Sequence, residues 1–341
     1  MEINAPGWEA ERHSLLERNI SDFGLSIKGS FVEKLVDELY QELESRGLQF
    51  KPPVYLSDQW GCPDGTPLIG IPFYLADPRL SAIEDDFSAG LESEDDTMRY
   101  LRHEAGHAFN YAYRLYDRAD WRQTFGPYSR PYRERYRADP FSHDYVRHIL
   151  GWYAQKHPDE DFAETFAVWL TPGLDWRDAY ADWPALHKLE YVDRVMAEIA
   201  GQMPAVPDVS EDDLPVSAMR YSLAQHYSES EEPVPIPDGR VFDGDLRNIF
   251  ATSREAPEGS PAADFIRAHR REIVSRIAYW TGESAASIRQ FVDFLIDRTA
   301  LLELRMRGLE AATLIELTAF GTAVMMNYRY TNTVDGARRK K

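Results

Sequence analysis

The stretch RHEAGHAFN, residues 102–110, places two histidines four positions apart, with a glutamate directly after the first. The surrounding sequence is typical of an amphipathic helix, because its apolar residues recur every three or four positions. These residues are Met98, Leu101, Ala105, Ala108 and Ala112. Side chains four positions apart on a helix lie on one face, about 5–6 Å from each other. His103 and His107 can therefore direct ring nitrogens at one metal ion.

Glu104 follows the first of these histidines and lies roughly 100° around the helix from it. It can reach a metal-bound water without taking a coordination position, as the general base of a zinc hydrolase does. The same spacing also arises by chance, on helices that carry two surface or half-buried histidines. A hydrolytic zinc site needs in addition a third protein ligand and an open position for water.

A second acidic stretch, DEDFAETFA at residues 159–167, supplies candidates for the third ligand. Glu160 and Glu164 are four positions apart in a segment that is otherwise apolar enough to be buried. Buried carboxylates are costly unless they are paired or bind a metal. The alternative is that one of them faces water while the other caps a neighbouring element.

Gly106 is a further signal, because glycine inside a helix costs about 1 kcal/mol relative to alanine. Such a residue is tolerated where another element approaches the helix closely. We expect that element to be the helix that carries the third ligand.

The two motifs together resemble a known family. HEAGH at residues 103–107, followed by HPDEDFAETFAVWL at residues 157–170, is similar to a bacterial family of zinc-binding metallopeptidases of the gluzincin type. It also resembles, more distantly, the catalytic domain of anthrax lethal factor. The resemblance covers about residues 50–200 and is specific only at the two motifs. It implies an α+β zincin-like metallopeptidase domain that binds Zn²⁺.

The resemblance also implies roles for individual residues. Glu104 is the general base, and Glu164 accepts a hydrogen bond from a ligand imidazole and so fixes its tautomer. Asp161 is the reserve candidate for the third ligand, because a shift of one position along the helix would put it in the place of Glu160. The implied metal ligands are His103, His107 and Glu160.

A tetrahedral intermediate needs a hydrogen-bond donor for its oxyanion. Tyr153 is the candidate, because the lethal-factor type carries a tyrosine at its site; the alternative is a tyrosine of the core. Other candidate donors, which we expect instead in loops or caps, are His143, His148 and His157.

The first domain is predicted to span residues 1–203, with a small sheet over the HExxH helix and the Glu160 helix crossing beneath. PPVYLSD (52–58) and PLIGIPFYLAD (67–77) have the pattern of strands. The second contains prolines that cannot donate to a ladder, so we expect an edge strand that could pair with an extended peptide. The acidic residues between Asp77 and Asp96 indicate a solvated loop or irregular segment that leads to the start of the HExxH helix.

Composition changes after the first domain. Residues 204–239 are rich in proline and acids and are predicted to be a linker, with a short helical or extended piece around Tyr221. Residues 240–341 are predicted to form an all-α C-terminal domain. Its helical patterns cover 261–281, 284–307 and 309–328.

The composition excludes several classes of protein. A formal net charge of −19 argues against a nucleic-acid binder, and the basic run Arg338–Lys341 is expected to be a solvated chain end. Cys62 is the single cysteine, which excludes an internal disulfide and indicates a reducing compartment. No apolar run approaches the roughly 18–20 residues of a membrane span, and no secretory signal opens the chain. We therefore expect a cytoplasmic protein that binds neither membrane nor nucleic acid.

The sequence thus predicts a zinc-dependent protease that hydrolyses peptide bonds of a peptide or protein substrate. One alternative is a helical protein that binds a partner and has a structural or degenerate zinc site. Another is a zinc amidohydrolase that acts on a small amide or a peptide-conjugated intermediate. The apolar C-terminal helices offer a face for a protein partner or for self-association.

Overall fold

The structure is a computed structural model that describes residues 7–87, 92–133, 136–205, 215–229 and 239–331. The chain forms two compact units. The first contains residues 1–83 and 92–224, and the second contains residues 84–91 and 225–341. No helix in the described ranges combines the length and apolar composition that a membrane crossing requires.

Much of the predicted linker lies outside the described residues, namely 206–214 and 230–238, as does the basic run 338–341. Between the two linker segments, Val216–Ala218 form a 3₁₀ turn and Leu223–Glu229 form helix α9. The helical piece expected around Tyr221 therefore begins two residues further along the chain.

The described residues up to 205 form a mostly helical structure with one small sheet. Its elements are α1 (Trp8–Leu16), α2 (Phe31–Ser45), β1 (Val54–Ser57), β2 (Ile69–Pro72), α3 (Pro78–Phe87), α4 (Glu94–Ala112), α5 (Ala119–Phe125), α6 (Pro158–Leu170), α7 (Trp176–Ala179) and α8 (Leu186–Ile199). This architecture agrees with the predicted mixture of helices and a small sheet.

The sheet has two parallel strands, with Val54 opposite Ile69. The predicted strand 67–77 is shorter than expected, because β2 ends at Pro72 and a 3₁₀ turn follows. Its second edge is also occupied at one residue: Gly61 and Gly70 exchange both backbone hydrogen bonds, at 3.3 and 2.7 Å. An extended peptide therefore cannot pair with the whole of β2, because the backbone groups of Gly70 are already occupied.

The acidic segment after Asp77 contains a helix, so the loop expected there is wrong for residues 78–87. Leu80 and Ile83 are fully buried, and this burial stabilises the turn of helix between them. Asp77 accepts a hydrogen bond from the backbone amide of Arg79 at 2.8 Å, and Pro78 occupies the first helical position, where its missing N–H costs nothing. In the sequence, two apolar residues among many acids do not form a recognisable helical pattern.

Helices α4 and α6 pack against each other in the centre of the first unit. A capping box between Ser93 and Asp96 begins α4. His157 caps α6 by accepting from the Asp159 amide, and Pro158 follows at the first helical position. Every residue of α6 is buried, including its four acids.

The second unit is helical in the part that the structure describes beyond α9. Its further helices are α10 (Asp243–Ile249), α11 (Ala262–Ala268), α12 (Arg270–Thr281), α13 (Ala285–Leu301) and α14 (Glu310–Thr331). The predicted helix 261–281 is two helices that meet at His269. The unit has its own hydrophobic core, in which Ile266, Ile277 and Phe291 are fully buried.

Gly106 lies where α4 meets α6. A Cβ atom at this position would lie 2.7 Å from the Cα and 3.0 Å from the carbonyl oxygen of Ala163. Main-chain atoms of a packed helix cannot move aside without shifting the helix. The expected close approach of the helix that carries Glu160 is therefore confirmed.

Gly106→Ala is expected to lower the free energy of unfolding by about 1–3 kcal/mol, because the added methyl group forces α4 and α6 apart. Denaturant unfolding of the metal-free protein measures the change. Gly244→Ala is the matched control: Gly244 is also in a helix, α10, but a Cβ there meets nothing within 4 Å. The free energy of unfolding of this control should not fall, because the added methyl group meets no other atom. A Gly106→Ala protein as stable as the wild type would contradict the close packing.

Candidate metal centre

Three side-chain atoms from α4 and α6 converge in the first unit. Nε2 of His103 lies 3.0 Å from Oε2 of Glu160, Nε2 of His107 lies 3.1 Å from the same oxygen, and the two nitrogens are 3.2 Å apart. An ion with tetrahedral bonds of about 2.0–2.1 Å sets its ligand atoms about 3.3 Å apart. All three residues are buried, and together they can bind a metal ion. We call them the metal group.

Glu164 lies one helical turn beyond Glu160 and is completely buried. Its Oε1 is 2.8 Å from Nδ1 of His103, and its Oε2 accepts a 2.8 Å hydrogen bond from the amide of Ile149. A carboxylate in this position favours the proton on Nδ1, which leaves the Nε2 lone pair of His103 directed at the metal group.

Asp159 is the carboxylate that faces the second histidine, and the sequence did not reveal it. Its Oδ2 lies 3.0 Å from Nδ1 of His107, off the line of a good hydrogen bond. Asn110 and Tyr111 hold the carboxylate by donating to it at 2.6 and 2.5 Å. The only signal for Asp159 in the sequence was its position directly before Glu160, and its spacing from His107 is not distinctive.

The buried carboxylates control the charge of the imidazoles. Burial alone lowers the pKa of His103, but hydrogen bonds to Glu160 and Glu164 outweigh this and raise it to about 9. Burial also raises the pKa of Glu160, yet the charge of His107 and the hydrogen bonds to both imidazoles bring it well below its usual value. The site therefore favours positive charge where the three ligand atoms meet. Two imidazoles and a carboxylate form a donor set that fits Zn²⁺.

Glu104 lines a pocket beside the metal group and is 6% exposed. No hydrogen bond or ion pair from any described residue reaches its carboxylate. Burial raises its pKa, and the charges of both histidines act against that rise. A buried carboxylate without a partner is costly, and its position beside the metal group is suited to accepting a proton.

The pocket has a volume of about 430 Å³, within the usual range for small-ligand sites. It contains the metal group and Glu104, together with the segment Trp60–Cys62. Tyr132 and Tyr153 also line it. The site is therefore open to a ligand, unlike a closed structural zinc site with four protein ligands.

Tyr153, the expected oxyanion donor, lies in this pocket. Burial and the charge of Glu160 raise its pKa, so its hydroxyl keeps its proton. The Tyr132 hydroxyl lies 3.5 Å from it and donates to Oε1 of Glu160. Nothing in the sequence distinguished Tyr132 among 19 tyrosines.

The remaining candidates are placed elsewhere. Asp161 forms an ion pair with Lys188, with 2.7 Å between Oδ2 and Nζ, and lies outside the metal group. His148 donates to the backbone carbonyl of Arg99 at 3.0 Å, and His143 stacks on a tryptophan. His157 lines the pocket, but both of its ring nitrogens are occupied, by the Asp159 amide and by a backbone carbonyl.

Comparison with protein-family models, with curated proteins and with solved structures found no match. The family resemblance of the two motifs therefore stays a prediction. What the chain can do has to be inferred from the geometry of the metal group, Glu104 and the pocket.

Proposed function

We propose that this protein is a zinc-dependent peptidase with a zincin-like first unit, in which water activated by Glu104 attacks the scissile carbonyl. One observation carries the proposal: a buried carboxylate without a partner lies in an open pocket beside three converging ligand atoms. A structural metal site needs neither the pocket nor the free carboxylate.

The chemistry follows from the donor set. Bound Zn²⁺ polarises a carbonyl and lowers the pKa of water towards about 7. His103, His107 and Glu160 would hold the ion; Glu164 orients the His103 imidazole through Nδ1, and Asp159 faces Nδ1 of His107 at 3.0 Å. Three protein ligands leave a place for water and substrate.

Glu104 takes the proton from the attacking water and then delivers it to the leaving amine. Burial raises the pKa of its carboxyl, which makes the carboxylate a stronger proton acceptor than an exposed glutamate and suits it to the first step. Tyr153 donates its hydroxyl hydrogen to the oxyanion of the tetrahedral intermediate.

The substrate is a peptide or a segment of a protein in an extended conformation. Gly61 is bonded to β2 through Gly70, and no backbone–backbone hydrogen bond of Trp60 or Cys62 is present among the described residues. Alternate residues of an extended segment direct their backbone groups to opposite sides, so the main chain at 60 and 62 is available to a bound peptide. The segment Trp60–Cys62 thus takes the place that the sequence assigned to β2.

The test compares protein stripped by a chelator with protein reloaded with Zn²⁺, each incubated with a broad peptide library and read by mass spectrometry. We expect cleavage with the reloaded protein only, and a metal content near one zinc per chain by plasma emission, because a single metal group is found among the described residues. Small amides are the second substrate set. Zinc binding with cleavage of small amides alone would indicate an amidohydrolase, and zinc binding with no turnover of either set would contradict the hydrolase proposal.

A further inference from the structure

The two oxygens of the Glu160 carboxylate have different partners. Oε2 faces the imidazoles of His103 and His107 at 3.0 and 3.1 Å. Oε1 accepts the hydroxyl hydrogen of Tyr132. The carboxylate is therefore held with one oxygen directed at the metal group and the other directed away from it.

This asymmetry matters because a carboxylate can bind a metal ion through one oxygen or through both. Binding through both oxygens would use a coordination place that a hydrolytic site needs for water or substrate. A hydrogen bond from a tyrosine competes for the second oxygen and orients the ligand.

We propose that Tyr132 is a positioning residue that keeps Glu160 a single-oxygen ligand and so keeps one coordination place open. The assignment rests on the metal group of the proposed function, and it concerns a residue that neither motif contains. Tyr132 acts through Glu160 and not on the substrate.

The surroundings of Tyr132 fix its ring, although the residue is 49% exposed. The ammonium group of Lys156 lies 4.3 Å from the centre of the ring, and the His157 ring packs against it at 5.4 Å. His157 also donates to the carbonyl of Arg130 at 2.7 Å, which joins the main chain before Tyr132 to the start of α6. Lys156 is only 8% exposed, so this contact is partly shielded from water.

The two pocket tyrosines consequently have different tasks. The hydroxyl hydrogen of Tyr132 is committed to Glu160, whereas Tyr153 accepts a weak 3.4 Å hydrogen bond from Lys156 and donates to no carboxylate among the described residues. Tyr153 is therefore the one whose hydrogen can serve the oxyanion. Loss of the Tyr132 hydroxyl should therefore change metal binding, whereas loss of the Tyr153 hydroxyl should change turnover.

The experiment compares Tyr132→Phe, Tyr153→Phe and Tyr128→Phe in the full chain. Tyr128 is the matched control for metal binding, because its hydroxyl lies in the same pocket but donates to Asp64. Each protein is titrated with Zn²⁺ against a competing chelator, and the visible spectrum of the Co²⁺-loaded protein is recorded. Co²⁺ absorbs more weakly when its coordination number rises from four to five.

We expect Tyr132→Phe to weaken Zn²⁺ binding about 10- to 100-fold, because the Glu160 carboxylate loses the hydrogen bond that orients it. The visible absorption of Co²⁺ should fall, because Glu160 can then bind through both oxygens. Tyr153→Phe should keep the wild-type spectrum and Zn²⁺ affinity while kcat falls about 100- to 1,000-fold. Tyr128→Phe should keep both the spectrum and the affinity.

An unchanged Co²⁺ spectrum in Tyr132→Phe, or the same spectral change in Tyr128→Phe, would overturn the assignment. If the wild type binds both metals but cleaves nothing, the proposed function fails, while an altered spectrum confined to Tyr132→Phe still supports the role of Tyr132.

Discussion

Glu104→Gln is expected to lower kcat/KM for the peptide substrate by a factor of about 100 to 10,000 while the zinc content stays at the wild-type level. The amide has nearly the same size as the carboxylate but cannot take up the proton of the attacking water. Glu104 is not one of the three residues of the metal group, so metal binding should survive. Steady-state kinetics and plasma emission analysis measure the two quantities.

Glu94→Gln is the matched control for this variant. Glu94 is also in α4 and undergoes the same chemical change, but its side chain is 58% exposed and 3.5 Å from Lys34. A surface ion pair of this kind contributes little to stability, and Glu94 is not part of the metal group, so turnover should be unchanged. Hydrolysis by Glu104→Gln at the wild-type rate would refute the role of Glu104 as base.

Glu160→Gln is expected to weaken Zn²⁺ binding about 100- to 1,000-fold. Zinc sites with four ligands bind with about 10–16 kcal/mol, so one ligand supplies about 2.5–4 kcal/mol, and each 1.4 kcal/mol is a factor of ten. The carboxamide has no charge, and it also leaves the two imidazoles without the carboxylate oxygen that lies about 3 Å from each of them. Titration with Zn²⁺ against a competing chelator measures the dissociation constant.

The variant Asp161→Asn changes the residue next to Glu160. It distinguishes an effect on metal binding from an effect on stability. Burial raises the pKa of Asp161 to about 7 and Lys188 acts against this rise, so the carboxyl of Asp161 is mostly ionised at pH 8. Loss of one partner leaves the buried ammonium group of Lys188 uncompensated and should lower the free energy of unfolding of the metal-free protein by about 3–5 kcal/mol at that pH. Zn²⁺ affinity should stay the same. A large loss of Zn²⁺ affinity in Asp161→Asn, with little loss in Glu160→Gln, would make Asp161 the ligand.

Several features of the fold and the site follow from spacing along one helix. His103 and His107 share a face of α4 because they are four positions apart, and Glu160 and Glu164 share a face of α6 for the same reason. Gly106 indicated a close helix crossing, because a helix interior tolerates glycine poorly without such a cause. These are local properties, since a regular helix places its side chains at fixed angles.

Other features could not be predicted from the sequence. The loop expected after Asp77 is a helix, because two buried apolar residues outweigh the acids around them. The bond between Gly61 and Gly70 moved the available edge away from β2. In both cases burial or pairing that the local pattern of residue types does not encode decided the outcome.

The sequence by itself determined that two histidines and an acid could reach one ion from two helices, and that a glutamate stood beside them. Only the tertiary structure decided that Asp159 faces His107, that Lys188 pairs with Asp161, and that Tyr132 donates to the far oxygen of Glu160. Helical geometry fixes relations within a turn, whereas partners from separate elements depend on crossing angles and loop paths, which come from packing of the whole core.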